Sequence, residues 1–388
     1  RNSEADKYKY PSNTKRVYDS STIGEDTSGV AEKGRCGNDA KYTLYNSGLL
    51  TISGSGDMTS YEFTNGFKYK IKDIAIEKGI TSIGGSNFKN CGELESVTIP
   101  DSVTSIDSYA FQDCDKLVSV EIPNSVKSLG YCVFSGCTKL ESVKLSNNLT
   151  DIYTGMFKNC TSLKNIEIPN RVREIRGYVF QNCTSLDNVR IPNSVDTIGE
   201  RAFDNCSSLT SIAIPAGVTS IGSSAFESCS SLTSIAILAG VTSIGESAFK
   251  DCSNLNTIYC YKNSTADKYT DYPSIAKKVY LDDATTTAFT FNSSTGTITG
   301  YSGSEKVVNI PSNIGGVYVK AIGENAFKNN TDIETVIIPE GVNSIEDFAF
   351  YKCTGLKYIS IPESVTSVSE DGFYRCGALN ITCKKGST

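Results

Sequence analysis

From about residue 71 onward, short apolar-polar alternations recur along the chain at a fixed period. The dipeptide Ile-Pro or a near equivalent begins at Ile99, Ile122, Leu145, Ile168, Ile191, Ile214 and Ile237, always 23 residues apart. The same step links Phe88 to Phe111, Phe134, Phe157, Phe180, Phe203, Phe226 and Phe249. Within one unit, Leu94-x-x-Val97-x-Ile99-Pro100 alternates as a short strand does, and Pro100 removes a backbone donor and ends it. Val103-x-x-Ile106 then opens a return path to Ala110-Phe111 and Cys114. One such lap cannot bury its own apolar residues, whereas neighbours stacked at about 4.8 Å build a continuous core. The pattern predicts stacked parallel strands, one per lap.

Run backwards, the step places Ile71, Ile74 and Ile76 in the strand frame, giving nine strands over residues 71–260. A second block, residues 305–388, repeats the scheme with four strands, at Ile310-Pro311, Ile338-Pro339, Ile361-Pro362 and a shortened Leu379–Cys383. Its first step is 28 residues, with the extra residues placed near Gly315-Gly316-Val317 as an outward loop. Each block follows a predicted β-hairpin: Tyr42–Ser53 around Asn46-Ser47-Gly48, and Phe289–Thr299. The expected organisation is a flexible polar arm (1–35), a hairpin cap (36–70), the first block (71–260), a connector with hairpin (261–304) and the second block. Ser264 to Tyr272 suggests a short helix in the connector.

Read as one unit, Leu-x-x-Val-x-Ile-Pro-x-x-Val-x-x-Ile-x-x-x-Ala-Phe-x-x-Cys at this spacing closely resembles the BspA-like leucine-rich repeats of bacterial and protist surface proteins, over roughly residues 71–260 and 305–383. The segment from Cys36-Gly37 to Met58 is similar to the cap that precedes such repeats in secreted proteins of gut bacteria. The resemblance implies an α/β-type repeat solenoid: a right-handed leucine-rich-repeat coil with one parallel β-sheet of short strands and β-hairpin caps. It also implies secretion or cell-surface display, adhesion to host matrix proteins such as fibronectin or to other cells, and no catalysis. Scaffold likeness alone does not specify a ligand.

Composition narrows the chemistry. The chain has no His, which removes the commonest general base and neutral metal ligand, and no cofactor or metal site is expected. A net charge of -6 with interspersed signs offers no field for nucleic acid or anionic lipid. No apolar run reaches the ~20 residues that span a bilayer, and Arg1 in place of Met reads as a mature or trimmed segment. With nucleic acid and lipid set aside, the partner that the resemblance implies is a protein, met outside the cell by a chain expected to be monomeric.

Ten of the 14 cysteines, Cys91, Cys114, Cys137, Cys160, Cys183, Cys206, Cys229, Cys252, Cys353 and Cys376, share one inward repeat position, and Asn330 takes the eleventh. Their parallel Cβ vectors resist disulfide geometry and a linear ladder offers no tetrahedral site, so they read as a structural column of free thiols. Cys260 and Cys383 fall at strand Ile positions. Cys36 and Cys132 fall outside the apolar frame; Cys132 reads either as a reactive or dimer-forming thiol or as a partly buried free one.

The outward strand positions are the candidate ligand face. One column runs Ser96, Ser119, Ser142, Asn165, Asn188, Ser211, Ser234, Thr257; the next runs Thr98, Glu121, Lys144, Glu167, Arg190, Ala213, Ala236, Tyr259; a third holds Glu95, Glu141, Lys164 and Asp187. Glu121, Lys144, Glu167, Arg190 and Tyr259 are the residues singled out. Charges of alternating sign can pair across strands as a solvated ladder, or form a patch where a partner docks, flanked by Ala213 and Ala236. A spacer that binds nothing is the rival reading. A third is carbohydrate hydrolysis by Glu121 and Glu167, about 9 to 10 Å apart two repeats away from each other; Lys144 between them and the lack of a cleft-forming insertion speak against it. The Asn159-Cys-Thr161, Asn182-Cys-Thr184 and Asn205-Cys-Ser207 glycosylation patterns are products of the repeat.

Overall fold

The computed structural model describes residues 26–59, 64–192, 194–215, 217–238, 240–281, 286–339, 341–362, 364–377 and 379–383. Most of the arm expected over residues 1–35 lies outside these. Its last part does not: Val30–Arg35 is a strand antiparallel to Asp39–Tyr45, so the cap starts earlier than the sequence pattern indicates. That strand is almost wholly exposed, so it carries no apolar alternation to reveal it. Asp39–Tyr45 and Leu49–Asp57 form the expected hairpin, turned at Gly48 with φ +95°.

Leu49–Asp57 converts the cap into the solenoid. Its first half pairs in parallel with Asp73–Ile76 (Leu50 opposite Ile74), and its far end pairs with Ile80–Ile83. Two parallel ladders start from this one strand. The first continues as stacked strands through Ser96–Thr98, Ser119–Glu121, Ser142–Lys144, Asn165–Glu167, Asn188–Arg190, Ser211–Ala213 and Ser234–Ala236 to Thr257–Cys260, with strand pairing interrupted after Ser96–Thr98, Ser142–Lys144 and Asn188–Arg190. The second climbs in two-residue strands from Ser105–Ile106 and Ser128–Leu129 to Ser243–Ile244. The pattern Val103-x-x-Ile106 indicates only a return path, because two residues are too few to display a period of two.

The third side of each turn is a run of tight turns rather than a helix. Alternate amides bond to the next turn, as in Phe88 N to Ala110 O at 2.9 Å and Asn90 N to Gln112 O at 2.8 Å. Two residues per turn take left-handed backbone there, such as Tyr109 (φ 62°) and Asp113 (φ 57°), which excludes a helix. The α-helix Thr265–Lys268 sits within the segment expected to hold one and is capped by the Ser264 hydroxyl, which accepts from Asp267 N at 3.2 Å.

Inside, Leu94, Val97, Val103, Ile106, Phe111, Cys114 and their repeat equivalents are buried in one core. The Phe column stacks at centroid spacings near 5.5 Å, for example 5.6 Å for Phe111–Phe134, and Tyr272 from the connector closes it on Phe249 at 5.4 Å. The connector also adds a strand, Lys277–Tyr280, to the first ladder. The second block has its own core, led by Phe327 and Phe350. Its strands Val307–Asn309, Thr335–Ile337, Tyr358–Ile361 and Asn380–Cys383 form a separate parallel sheet. The extra residues at Gly315-Gly316 make a small hairpin, Asn313–Ile314 with Val317–Tyr318.

Candidate binding face

Parallel pairing in register places repeat-equivalent residues side by side, so the outward columns are real rows. Lys144 Nζ meets Glu121 Oε1 at 2.6 Å, and two neighbouring rows repeat the scheme in Lys164–Glu141 (3.4 Å) and Lys116–Glu93 (2.6 Å). All six side chains are well exposed, so each pair contributes roughly 0–1 kcal/mol. These are cross-strand ladder pairs. The sequence of signs breaks at the next step: Glu167 stands opposite Arg190 in register, yet it is exposed and makes no ion pair or side-chain hydrogen bond among the described residues.

Arg190 turns elsewhere because the second block lies against it. Its Nη2 donates to the main-chain oxygen of Ile381 at 2.5 Å, in the last strand of that block. Further along the same face, the Tyr358 hydroxyl donates to Ser211 O at 3.4 Å, and Tyr259, Leu281, Val307 and Ile337 form a shared apolar cluster with Ala236, Leu238 and Tyr261 at its edge. Asn309 Nδ2 ties to Leu281 O at 3.0 Å. Val307, Ile337 and Tyr358 occupy outward strand positions, aligned with Thr335 and Asn309 by the ladder register. The second block therefore packs its own outward face onto the C-terminal part of the first block's.

Of the five residues singled out from sequence, Glu121, Lys144 and Glu167 stay exposed on the open part of the face, Arg190 is half-buried, and Tyr259 is 9 % exposed beneath the second block. Glu121 and Glu167 sit on an open sheet with Lys144 bonded to Glu121 between their rows. What the sequence reading missed was the occupant of the remainder. Its signal was present: Val307, Ile337 and Tyr358 are apolar or aromatic at positions that hold Ser, Thr or charge in much of the first block.

The cysteine column has a defined chemical role. Each thiol from Cys114 to Cys252 donates to the carbonyl oxygen of the Phe 26 residues earlier, such as Cys160 to Phe134 O at 3.1 Å, and Cys353 and Cys376 repeat the bond at 3.0 Å. A small apolar donor adds a second bond to a buried carbonyl that in most turns already accepts from the amide three residues on, as Phe134 O does from Cys137 N at 3.2 Å, while filling the space beside the ring. Asn330 keeps the function by donating to Gly303 O at 3.4 Å. Burial pushes Cys91, Cys252 and Cys353 up to about 12, so the thiolate is scarce. Cys36, expected outside the frame, is buried in the cap core and also pushed up to about 12 by desolvation. Cys132 is half-buried and free, its Sγ 3.7 Å from Thr154 O. The described side chains include no disulfide and no His/Cys/Asp/Glu cluster suited to a metal. Asn159, Asn182 and Asn205, the candidate glycosylation sites, spend their amides on one another at 2.8 and 3.0 Å.

The family model for the BspA type leucine rich repeat region matches residues 57–187, 173–302 and 320–388. Among solved structures, a leucine-rich repeat protein from Bacteroides ovatus is 23% identical, covering 90% of this chain and 99% of that one with a TM-score of 0.45. One from Eubacterium ventriosum is 22% identical, covering 90% and 95%, TM-score 0.45. The leucine-rich repeat protein of T. pallidum is 28% identical over 57% of this chain and 91% of its own, TM-score 0.40. No curated protein matches the chain. No helix among the described residues is long and apolar enough to cross a membrane.

Proposed function

The chain belongs to the BspA-type leucine-rich-repeat family, and on that premise we propose that it is a secreted or surface-held adhesin whose open strand face binds a protein partner. The observation that carries this reading is the division of the face. From Arg190 to Tyr259 it is covered by the second block, and from Glu121 to Glu167 it remains open, charged and exposed. A face that already seats one packed surface is flat and regular enough to seat another. Glu167, lacking an internal ion-pair partner, is the anchor expected to meet a basic group on the ligand, and Lys144 would exchange its cross-strand bond for an acidic one. No catalysis enters the proposal.

The rival spacer reading is favoured by the pairs at Glu121–Lys144 and Glu141–Lys164, which leave little unspent charge. Binding of the purified chain to immobilised matrix proteins, fibronectin among them, separates the two. Saturable binding lost in Glu121→Lys/Glu167→Lys supports adhesion; a null across the panel supports the spacer.

A further inference from the structure

The residue that directly follows each second-ladder strand is Gly in five turns of the first block, from Gly84 to Gly245, but Asp107, Tyr153 and Arg176 in the turns between. The glycines are there because the chain passes the preceding turn very closely: an added Cβ at Gly130 would lie 2.2 Å from Ser108 N, and at Gly222 2.5 Å from Glu200 N. A residue with a side chain must stand off. Two positions further on, Tyr109 occupies a left-handed site (φ 62°), which suits Gly or Asn and disfavours a bulky ring. The departures are local, and each puts an aromatic or charged group where the repeat does not require one.

They converge on a groove of about 820 Å³ lined by Asp107, Tyr109, Tyr131 and Tyr153, with Ile106 and Leu129 among its walls. Tyr109 and Tyr131 are 41% and 46% exposed. Tyr131 meets Tyr153 edge-on at 5.4 Å with an interplanar angle of 83°, and Tyr153 is held from behind by Arg176, 4.6 Å from its ring. Arg176 is itself fixed by Asp151 at 3.6 Å and Glu174 at 3.3 Å. The Asp107 carboxylate is exposed and makes no hydrogen bond or ion pair among the described residues.

We infer that this groove binds a neutral oligosaccharide chain. Exposed, braced tyrosine rings offer flat apolar faces to the C–H side of a pyranose, and their hydroxyls offer polar contacts at the rim. A free carboxylate accepts from two adjacent sugar hydroxyls. Lys89, 5.5 Å from the Tyr109 ring, and Arg176 behind Tyr153 offset this carboxylate, so the groove carries no strong field of one sign, which suits an uncharged ligand. The groove is open and crosses several turns, so it takes the interior of a chain rather than a buried end. This site is separate from the strand face proposed for protein binding.

The test titrates the full chain with cello-, malto-, manno- and xylohexaose by isothermal calorimetry. At least one is expected to bind. Tyr131→Ala and Asp107→Asn should each weaken it by about tenfold, the loss of roughly 1.4 kcal/mol of contact. Both residues are exposed, and an unchanged melting temperature verifies folding. Glu121→Lys/Glu167→Lys should leave sugar binding intact. The inference is overturned if no hexasaccharide binds at millimolar concentration, if a sulfated hexasaccharide binds better, or if neither groove variant changes the affinity.

Discussion

The guanidinium of Arg190 and the main-chain oxygen of Ile381 are 191 residues apart in the chain and 2.5 Å apart in space. This bond fixes the end of the second block against the middle of the first. Arg190 Nε is buried and has no hydrogen-bond partner among the described residues, so the bond at Nη2 is the group's main compensation. Arg190→Ala is expected to cost about 1.5–3 kcal/mol of the docking energy. Hydrogen exchange should then accelerate selectively at Asn380–Cys383, leaving Ser119–Lys144 unchanged.

The apolar half of the same contact has a larger expected effect. Tyr259→Ala removes a ring buried against Leu281, Val307 and Ile337, worth about 2–3 kcal/mol. Ile337→Lys places a charge in that cluster. Either variant should keep both repeat blocks folded by circular dichroism while raising the radius of gyration in small-angle scattering. An unchanged radius in both would contradict docking in solution.

Which of this was readable beforehand follows from the physics of each signal. The 23-residue step in Phe111, Cys114 and Pro100 reports the core and the first ladder, because stacking demands identical inward residues. The second ladder did not announce itself, since Ser105–Ile106 offers two residues and one buried side chain. Val30–Arg35 is held by backbone pairing alone and has no pattern to read. The open residues Glu121, Lys144 and Glu167 were legible as an outward row. That Tyr259 would be covered was not, because the covering surface comes from another sheet whose placement depends on the connector.

The thiol column gives a sharp chemical prediction. Cys160→Ala removes the second donor to the Phe134 carbonyl, which keeps its bond from Cys137 N at 3.2 Å, and should cost about 1 kcal/mol. Cys160→Ser, which keeps a donor, should cost less. In native protein, peptides carrying Cys114 to Cys252, Cys132 excepted, should stay unmodified by iodoacetamide, then label fully in guanidinium. Native labelling of Cys160 or Cys206 would contradict their burial.

Glu334 is one source of acid sensitivity in the second block. Burial alone would raise the Glu334 carboxyl, but hydrogen bonds from Lys306 and Lys357, at 2.6 and 2.9 Å, outweigh it and hold it below its ordinary value. A carboxyl lowered in the folded state stabilises above its unfolded value near 4.3, and that stabilisation fades as pH falls through the lower folded value. Thermal unfolding between pH 7 and pH 3 should therefore show a smaller shift in Glu334→Gln than in the wild type. Equal shifts would remove Glu334 as a source.

The open strands, and not the covered ones, are the surface proposed to meet the partner. Hydrogen-deuterium exchange of the chain alone and bound to a matrix protein that it captures measures this directly. Slowed exchange across Ser119–Glu121, Ser142–Lys144 and Asn165–Glu167, with Thr257–Cys260 unchanged, is the predicted result. Slowing confined to the turns carrying Phe111 to Phe180, or accelerated exchange at Thr257–Cys260 as the second block is displaced, would contradict it.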